Sequence, residues 1–133
     1  MPTRAVAKFD VTGWEPSEIE SPEGGPKMGR ALIRKTFSGD LEGTSTTEML
    51  SCGSPDSGAG YIAQELVTGT LAGRSGMFVM QHGGIARGGT QRAFGSIVPG
   101  SGTGELRGLH GEVKYQHDAG GASVTLDYDF DES

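Results

Sequence analysis

A chain of 133 residues with 24 glycines and 34% hydrophobic residues is typical of one small domain with many turns and a modest core. Its formal net charge of −6 argues against a nucleic-acid backbone or an anionic membrane as the main partner. Because Cys52 is the single cysteine, no disulfide can form within the chain. No segment is apolar enough to span a bilayer, and we expect a cytoplasmic protein.

Eight runs with the alternation of β-strands follow one another along the chain. They lie at residues 4–14, 28–39, 44–53, 60–69, 74–82, 92–99, 109–117 and 122–130. Residues 15–27 contain Pro16, Pro22 and Pro26, which lack the N–H that a central strand needs, so we expect an irregular connection there. No helix is predicted beyond a single turn after Pro99. The pattern predicts one all-β domain over residues 1–133, a closed eight-stranded antiparallel meander β-barrel.

A hexapeptide with glycine at its second and sixth positions occurs three times, at residues 38–43, 68–73 and 103–108. Each copy lies between one predicted strand and the next, which is typical of a repeated turn. Glycine at matched positions indicates a backbone with positive φ or a close approach of strands. We therefore expect equivalent turns at Glu42-Gly43, Ala72-Gly73 and Arg107-Gly108.

These turns predict which side chains face the barrel interior. A turn at Ala72-Gly73 places Glu65 opposite Met80 and Ala63 opposite His82. The same turn places Val67 opposite Phe78. With the other two turns and the terminal strands, the interior face also carries Phe9, Val11, Ile33, Lys35, Phe37, Glu48, Leu50, Cys52, Tyr61, Phe94, Val98, Val113, Tyr115, His117, Val124, Leu126, Tyr128 and Phe130. The outer face then carries Leu32, Met49, Ile62, Leu66, Met77, Val79 and Ile97. We expect a partner subunit or the proline-bearing connection to cover that outer set, and we therefore predict a homo-oligomer.

The predicted interior mixes apolar and ionisable side chains. Unpaired buried charges cost several kcal/mol each, so these groups should pair, shift their pKa or line a ligand pocket. A Glu in apolar surroundings could donate a proton near neutral pH, which makes Glu65 and Glu48 candidate catalytic residues. His82 is a third, because it ends a predicted strand before Gly83-Gly84, where a barrel mouth would lie. The candidate ligand contacts are Lys35, Tyr61, Phe78, Met80, Tyr115 and Phe37. The alternative is a structural Lys-Glu ion pair or a hydrated barrel mouth, neither of which needs a ligand.

No motif indicates a metal or a cofactor, and we predict neither. The three histidines, His82, His110 and His117, lack a short spacing to one another, to cysteines or to carboxylates. Residues 99–104 superficially resemble a phosphate-binding loop, but they lack its Gly-Lys-Ser/Thr ending and lie between two predicted strands.

Five segments, in this order, resemble a small bacterial family of unknown function. They are residues 9–14, 37–43, 61–73, 76–82 and 98–106. The resemblance extends over nearly the whole chain and implies a barrel similar to allene oxide cyclase, in agreement with the predicted meander. That enzyme binds an unsaturated, oxygenated fatty-acid derivative and steers its cyclisation with few catalytic groups. No residue of this chain is matched to its site, and a shared fold is a weak basis for activity.

The favoured function is a small β-barrel that binds an apolar or amphipathic small molecule in its interior. One alternative is a cofactor-free cyclase or isomerase acting on an unsaturated, oxygenated substrate. The other is a filled structural barrel that acts through its surface, since eight strands leave room for side chains or one small ligand.

Overall fold

The computed structural model describes residues 2–54, 56–118 and 120–131, which form a closed antiparallel barrel with its strands in sequence order. The strands are β1 Thr3–Glu18, β2 Lys27–Gly39, β3 Leu41–Ser54, β4 Gly58–Leu71, β5 Arg74–Arg87, β6 Thr90–Ile97, β7 Leu109–Asp118 and β8 Gly121–Phe130. A single 3-10 turn, Gly104–Leu106, lies between β6 and β7. The predicted closed eight-stranded meander is confirmed. Within the described ranges, no helix is long and apolar enough to cross a membrane.

β1 is longer than predicted, and Pro16 lies within it. Pro16 is paired with Ala31 of β2, whereas β8 pairs with β1 only from Thr3 to Lys8. The later part of β1 therefore has one neighbouring strand. A proline is compatible with such an edge because its missing N–H can face away from the partner. The irregular connection covers residues 19–26, and the prediction that it begins at residue 15 was wrong.

β5 is also longer than predicted, since it continues through Gly83 and Gly84 instead of ending at His82. A Cβ atom at Gly83 would lie 2.6 Å from Cε1 of Phe94, the residue paired with it on β6. The absence of a side chain at Gly83 thus leaves space for the aromatic ring. Both glycines are strand positions, so the prediction that the strand ends at His82 was wrong.

The three hexapeptides share a buried leucine and not a common turn. The leucines are 0%, 1% and 0% exposed and belong to one core cluster: Leu41, Leu71 and Leu106. Only the second copy has the predicted turn, at Ala72-Gly73, where both residues have positive φ. The first copy turns at Asp40 and the third forms the 3-10 turn. The repeat marks three places where the chain fills the same end of the barrel, which we call the closed end.

The true position of the β2–β3 turn changes which residues of β3 face inward. Lys35 is paired with Ser45, and both are buried. Glu48 instead lies on the outer face, where its carboxylate is 3.1 Å from Arg30 Nη2. A turn at Asp40 in place of Glu42-Gly43 shifts the pairing by an odd number of residues, which exchanges the two faces of the strand. The predicted interior positions of Glu48 and Leu50 were therefore wrong.

β6 likewise presents the face opposite to the predicted one. Ile97 is 1% exposed and Phe94 is 59% exposed. The reason is that residues 98–108 do not form a tight hairpin but extend along β5, where Thr103 N donates to Met77 O at 2.8 Å. β6 and β7 are paired only at Ser96–Glu112 and Ile97–Gly111 in the residues that the structure describes.

The barrel exposes large apolar side chains on its outer face and around its open end, and part of the predicted outer set is among them. The exposed ones are Val6, Val11, Trp14, Leu50, Ile62, Leu66, Met77, Ile85 and Phe94. The predicted exposure of Ile62, Leu66 and Met77 is confirmed. The homo-oligomer that would cover such residues stays a prediction.

The interior changes character along the barrel axis. The closed end is filled by apolar side chains, among them Phe37, Leu41, Val67, Leu71, Phe78, Met80, Ile97, Leu106, Leu109 and Leu126. Beyond them lies a polar layer of five buried side chains: Lys35, Ser45, Thr47, Glu65 and His82. Further still, at the end where β1, β3 and β5 finish, the interior is open. The barrel is thus filled over only part of its length, which disfavours the alternative of a completely filled one.

Candidate functional site

A cavity of about 960 Å³ occupies the open end of the barrel. Its walls include small residues, most of them at inward-facing strand positions: Gly29, Ala31, Ser51, Gly53, Ala59, Gly84, Ala86 and Ala93. At the closed end, the same strands carry large inward side chains such as Phe37, Val67 and Phe78. The cavity therefore follows from the sequence, because glycine, alanine and serine cannot fill the space between the strands.

Two tyrosines, Tyr61 of β4 and Tyr115 of β7, line the cavity on the side of the polar layer. The Tyr61 ring lies over Gly84, where a Cβ would be 3.3 Å from its Cε1 atom. The Tyr115 ring packs on His82 with 4.6 Å between ring centroids, and edge-on against Phe9 at 5.5 Å. These contacts hold both rings between the cavity and the buried charges.

Glu65 lies at the centre of the polar layer and is completely buried. Its Oε1 atom is 3.3 Å from Lys35 Nζ and 3.0 Å from His82 Nε2. The same oxygen accepts a hydrogen bond from the Tyr115 hydroxyl, and Oε2 accepts one from Ser45 Oγ at 2.5 Å. Four side chains therefore donate to the carboxylate, and such partners offset the cost of burying its charge.

These partners decide the ionisation state of Glu65. Burial alone would raise the pKa of its carboxyl, but the hydrogen bond from His82 and the charge of Lys35, with the other donors, lower it to about 2. Glu65 is therefore ionised at neutral pH. An ionised carboxylate has no proton to give, so the geometry does not support the predicted role of Glu65 as a proton donor.

The neighbouring groups respond to the same burial and charge. Burial lowers the pKa of Lys35, and the attraction of Glu65 opposes that effect. Burial together with the negative charge of Glu65 raises the pKa of Tyr61 and, more strongly, that of Tyr115. Both phenols therefore carry their protons at neutral pH.

His82 connects Glu65 to Tyr61. Its Nε2 atom is 3.0 Å from Glu65 Oε1, and its Nδ1 atom is 3.2 Å from the Tyr61 hydroxyl. Because the ionised Glu65 can only accept, we assign the ring proton to Nε2, which leaves the Nδ1 lone pair to accept from Tyr61. A continuous hydrogen-bonded chain then leads from the cavity through Tyr61 and His82 to Glu65.

The structure brings together part of the predicted site. Lys35, Tyr61, Glu65, His82 and Tyr115 lie in one connected group. The other predicted ligand contacts, Phe37, Phe78 and Met80, are buried in the closed-end core and do not line the cavity, while Glu48 is on the outer face. No group of three or more His, Cys, Asp or Glu side chains in the described part of the chain could hold a metal ion.

Sequence reasoning missed Ser45 and the small residues of the cavity wall. A turn placed at Asp40 would have turned Ser45 inward, opposite Lys35. Glycine, alanine and serine at alternate positions, such as Gly29 with Ala31 and Gly84 with Ala86, were the available signal for a cavity.

Acid should destabilise the protein in a pH range set by Glu65. Its carboxyl has a pKa of about 2 in the folded state and an ordinary value of 4.5, so the unfolded state binds more protons between these values. The free energy of unfolding contributed by Glu65 is fully present above pH 4.5 and is lost as the pH falls towards 2. Denaturant unfolding of the wild type and of Glu65→Gln across this pH range measures the contribution of Glu65 to the free energy of unfolding. If the unfolding free energies of the two proteins depended on pH in the same way, this prediction would be contradicted.

Comparisons with known proteins agree with this fold. The model of a family described as "Protein of unknown function (DUF3224)" matches residues 5–130. The crystal structure of a protein with unknown function from the DUF3224 family, from Shewanella oneidensis MR-1, is 38% identical over 100% of both chains, with a TM-score of 0.92. No curated protein matches the chain. The resemblance to a family of unknown function is confirmed, and the likeness to allene oxide cyclase stays an expectation.

Proposed function

We propose that this chain, which belongs to the DUF3224 family of proteins of unknown function, binds an apolar or amphipathic small molecule at the open end of its barrel. The observation that carries the proposal is the cavity of about 960 Å³, left open by small inward side chains. This volume is within the range of about 300–1,000 Å³ that is usual for small-molecule sites.

The residues around the cavity support an amphipathic ligand. Met28, Met49 and Ile85 add apolar surface to the small side chains of the wall, and burying such surface is the main source of affinity in pockets of this kind. Apolar atoms form most of the cavity surface, and the Tyr61 oxygen retains capacity to accept a hydrogen bond from a ligand. Lys27 and Arg92 also line the cavity and are exposed to solvent, where they would favour a ligand with an acidic end.

Filling the cavity should abolish binding without unfolding the barrel. Ala86 lines the cavity on β5 opposite Ala59, so Ala86→Phe places a ring in the empty space. Gln81→Phe puts the same ring on the exposed outer face of the same strand and is the matched control. In a thermal-shift screen of unsaturated acids and polyketide-like molecules, we expect compounds that raise the Tm of the wild type and of Gln81→Phe only. Equal shifts in Ala86→Phe, or no shift in any protein, would contradict the proposal.

A second candidate function is a cofactor-free cyclase or isomerase. It is supported by a different observation, the hydrogen-bonded chain that leads from the cavity through Tyr61 to His82 and Glu65. A binding protein needs only polar contacts with its ligand. The hydrogen bonds from Tyr61 to His82 and Glu65 go further, because they connect the cavity to a group that can accept a proton.

A further inference from the structure

We infer that Tyr61 transfers protons at the cavity, with His82 as the proton acceptor behind it and Glu65 as a fixed anion. The substrate class is a carbonyl compound with an activated C–H bond and an apolar substituent, and the reaction is its tautomerisation. This inference rests on the proposed binding function, since the substrate has to occupy the cavity.

Tyr61 is the group through which a ligand in the cavity reaches a base. Only two hydroxyls of the connected polar group line the cavity, those of Tyr61 and Tyr115. The Tyr115 proton is directed at the Glu65 carboxylate, which stays ionised and does not take it. The Tyr61 hydroxyl instead lies 3.2 Å from the Nδ1 atom of His82, and an imidazole nitrogen with a free lone pair can accept a proton.

The surroundings of His82 are arranged for a transient positive charge on its ring. Glu65 accepts from Nε2 whether the ring is neutral or protonated, so protonation of Nδ1 breaks no contact on that side. Lys35 and Ser45 hold the carboxylate from β2 and β3, and Tyr115 holds it from β7. A fixed anion that orients a histidine and stabilises the imidazolium is the logic of serine hydrolase triads, here with a phenol in the place of the serine.

The proton-transfer step balances without any co-reactant. The substrate C–H bond breaks and its proton passes to the Tyr61 oxygen, while the proton of Tyr61 passes to His82 Nδ1. The electron pair stays on the substrate as an enolate. Return of a proton by the same route, to the enolate oxygen or to another carbon, restores the protein. Nothing is oxidised or reduced.

The strength of the base limits the substrate. A phenol and an imidazole acting together form a weak base near neutral pH, so the C–H bond must be acidified by its neighbours, as it is between two carbonyl groups. The apolar cavity wall favours a hydrocarbon or aromatic substituent on that dicarbonyl unit.

The test uses 1-phenylbutane-1,3-dione, whose enol and keto forms differ in ultraviolet absorbance. We expect the wild type to accelerate its tautomerisation, and Tyr61→Phe and His82→Gln each to lower kcat by about 10²–10⁴-fold. Tyr61→Phe keeps the ring over Gly84, and His82→Gln can still donate to Glu65, so KM should change little. Gln64→Ala, on the exposed outer face of β4, is the control and should match the wild type.

Two results would overturn the inference and leave the proposed binding function standing. The first is a diketone that raises the Tm of the wild type but tautomerises no faster in its presence. The second is a ¹⁵N NMR spectrum in which His82 carries protons on both nitrogens at neutral pH, because a doubly protonated ring cannot accept from Tyr61. Failure of the binding function itself would appear separately, as an absence of any Tm shift with the wider library.

Discussion

Replacement of Glu65 by glutamine is expected to lower the free energy of unfolding by about 3–5 kcal/mol, the range found when one partner of a buried ion pair is removed. Glu65 is fully buried, and its Oε1 atom is 3.3 Å from the buried Lys35 ammonium. The glutamine side chain has nearly the same size but no charge, so it leaves Lys35 as an unpaired cation in the barrel interior. Urea unfolding of the two proteins measures the difference.

A matched control separates burial from charge. Glu48 also forms an ion pair, with Arg30, but both side chains are about half exposed. Glu48→Gln should therefore cost less than about 1 kcal/mol. Equal losses for the two variants would contradict the account of the polar layer. The double variant Lys35→Met/Glu65→Leu should recover the part of the loss that comes from the unpaired Lys35 charge, because well-packed apolar residues commonly replace a buried ion pair without cost. The remaining loss reflects Ser45, His82 and Tyr115, whose donors no longer have the carboxylate as acceptor.

Replacement of Leu106 by alanine is expected to cost about 2–5 kcal/mol of unfolding free energy, as for other buried leucines. Leu106 belongs to the 3-10 turn of the β6–β7 connection and yet is 0% exposed within the core cluster. Truncation would leave a void among the large side chains of the closed end, which packed strands cannot close. Denaturant unfolding of the variant measures the loss.

Leu66→Ala provides the control for that loss. Leu66 lies on the outer face and is 42% exposed, so its truncation should change stability by well under the loss at Leu106. Leu41 and Leu71 occupy the same hexapeptide position and should behave like Leu106. A loss at Leu106 no larger than that at Leu66 would show that the third hexapeptide does not fill the closed end.

The number and order of the strands were predictable, because alternation and turn glycines mark all eight. The pairs of residues that lie opposite each other on neighbouring strands were predictable only where the turn between the strands was correctly placed. Ala72-Gly73 has positive φ at both positions, and the predicted pairs Glu65–Met80 and Ala63–His82 are confirmed. The other two hexapeptides have glycine and leucine at the same positions, but the structural feature that they share with the second copy is a buried leucine and not the turn.

The placement of candidate site residues likewise depended on whether the neighbouring turn was correctly placed. Glu65, His82 and Tyr61 lie on β4 and β5, whose shared turn was correctly placed, and all three were predicted as site residues. Glu48 was misplaced because the β2–β3 turn is at Asp40. The ionisation state of Glu65 could not be predicted from the sequence. It depends on Lys35, Ser45, His82 and Tyr115, which lie on four different strands, and sequence spacing does not determine their distances from the carboxylate.

The stability of the barrel does not require a charged layer beneath the open cavity. Apolar side chains could fill the same volume, as they do at the closed end of the barrel. The double variant Lys35→Met/Glu65→Leu therefore has a second use, because a stable barrel that has lost its ligand or its turnover would assign the polar layer to function.

Native mass spectrometry of the protein purified from its own host decides whether the open end of the barrel holds a small molecule. We expect a mass above that of the chain alone and an extractable small molecule, both absent from the Ala86→Phe variant. An empty wild-type protein, with no member of the acid and polyketide-like library raising its Tm, would contradict it.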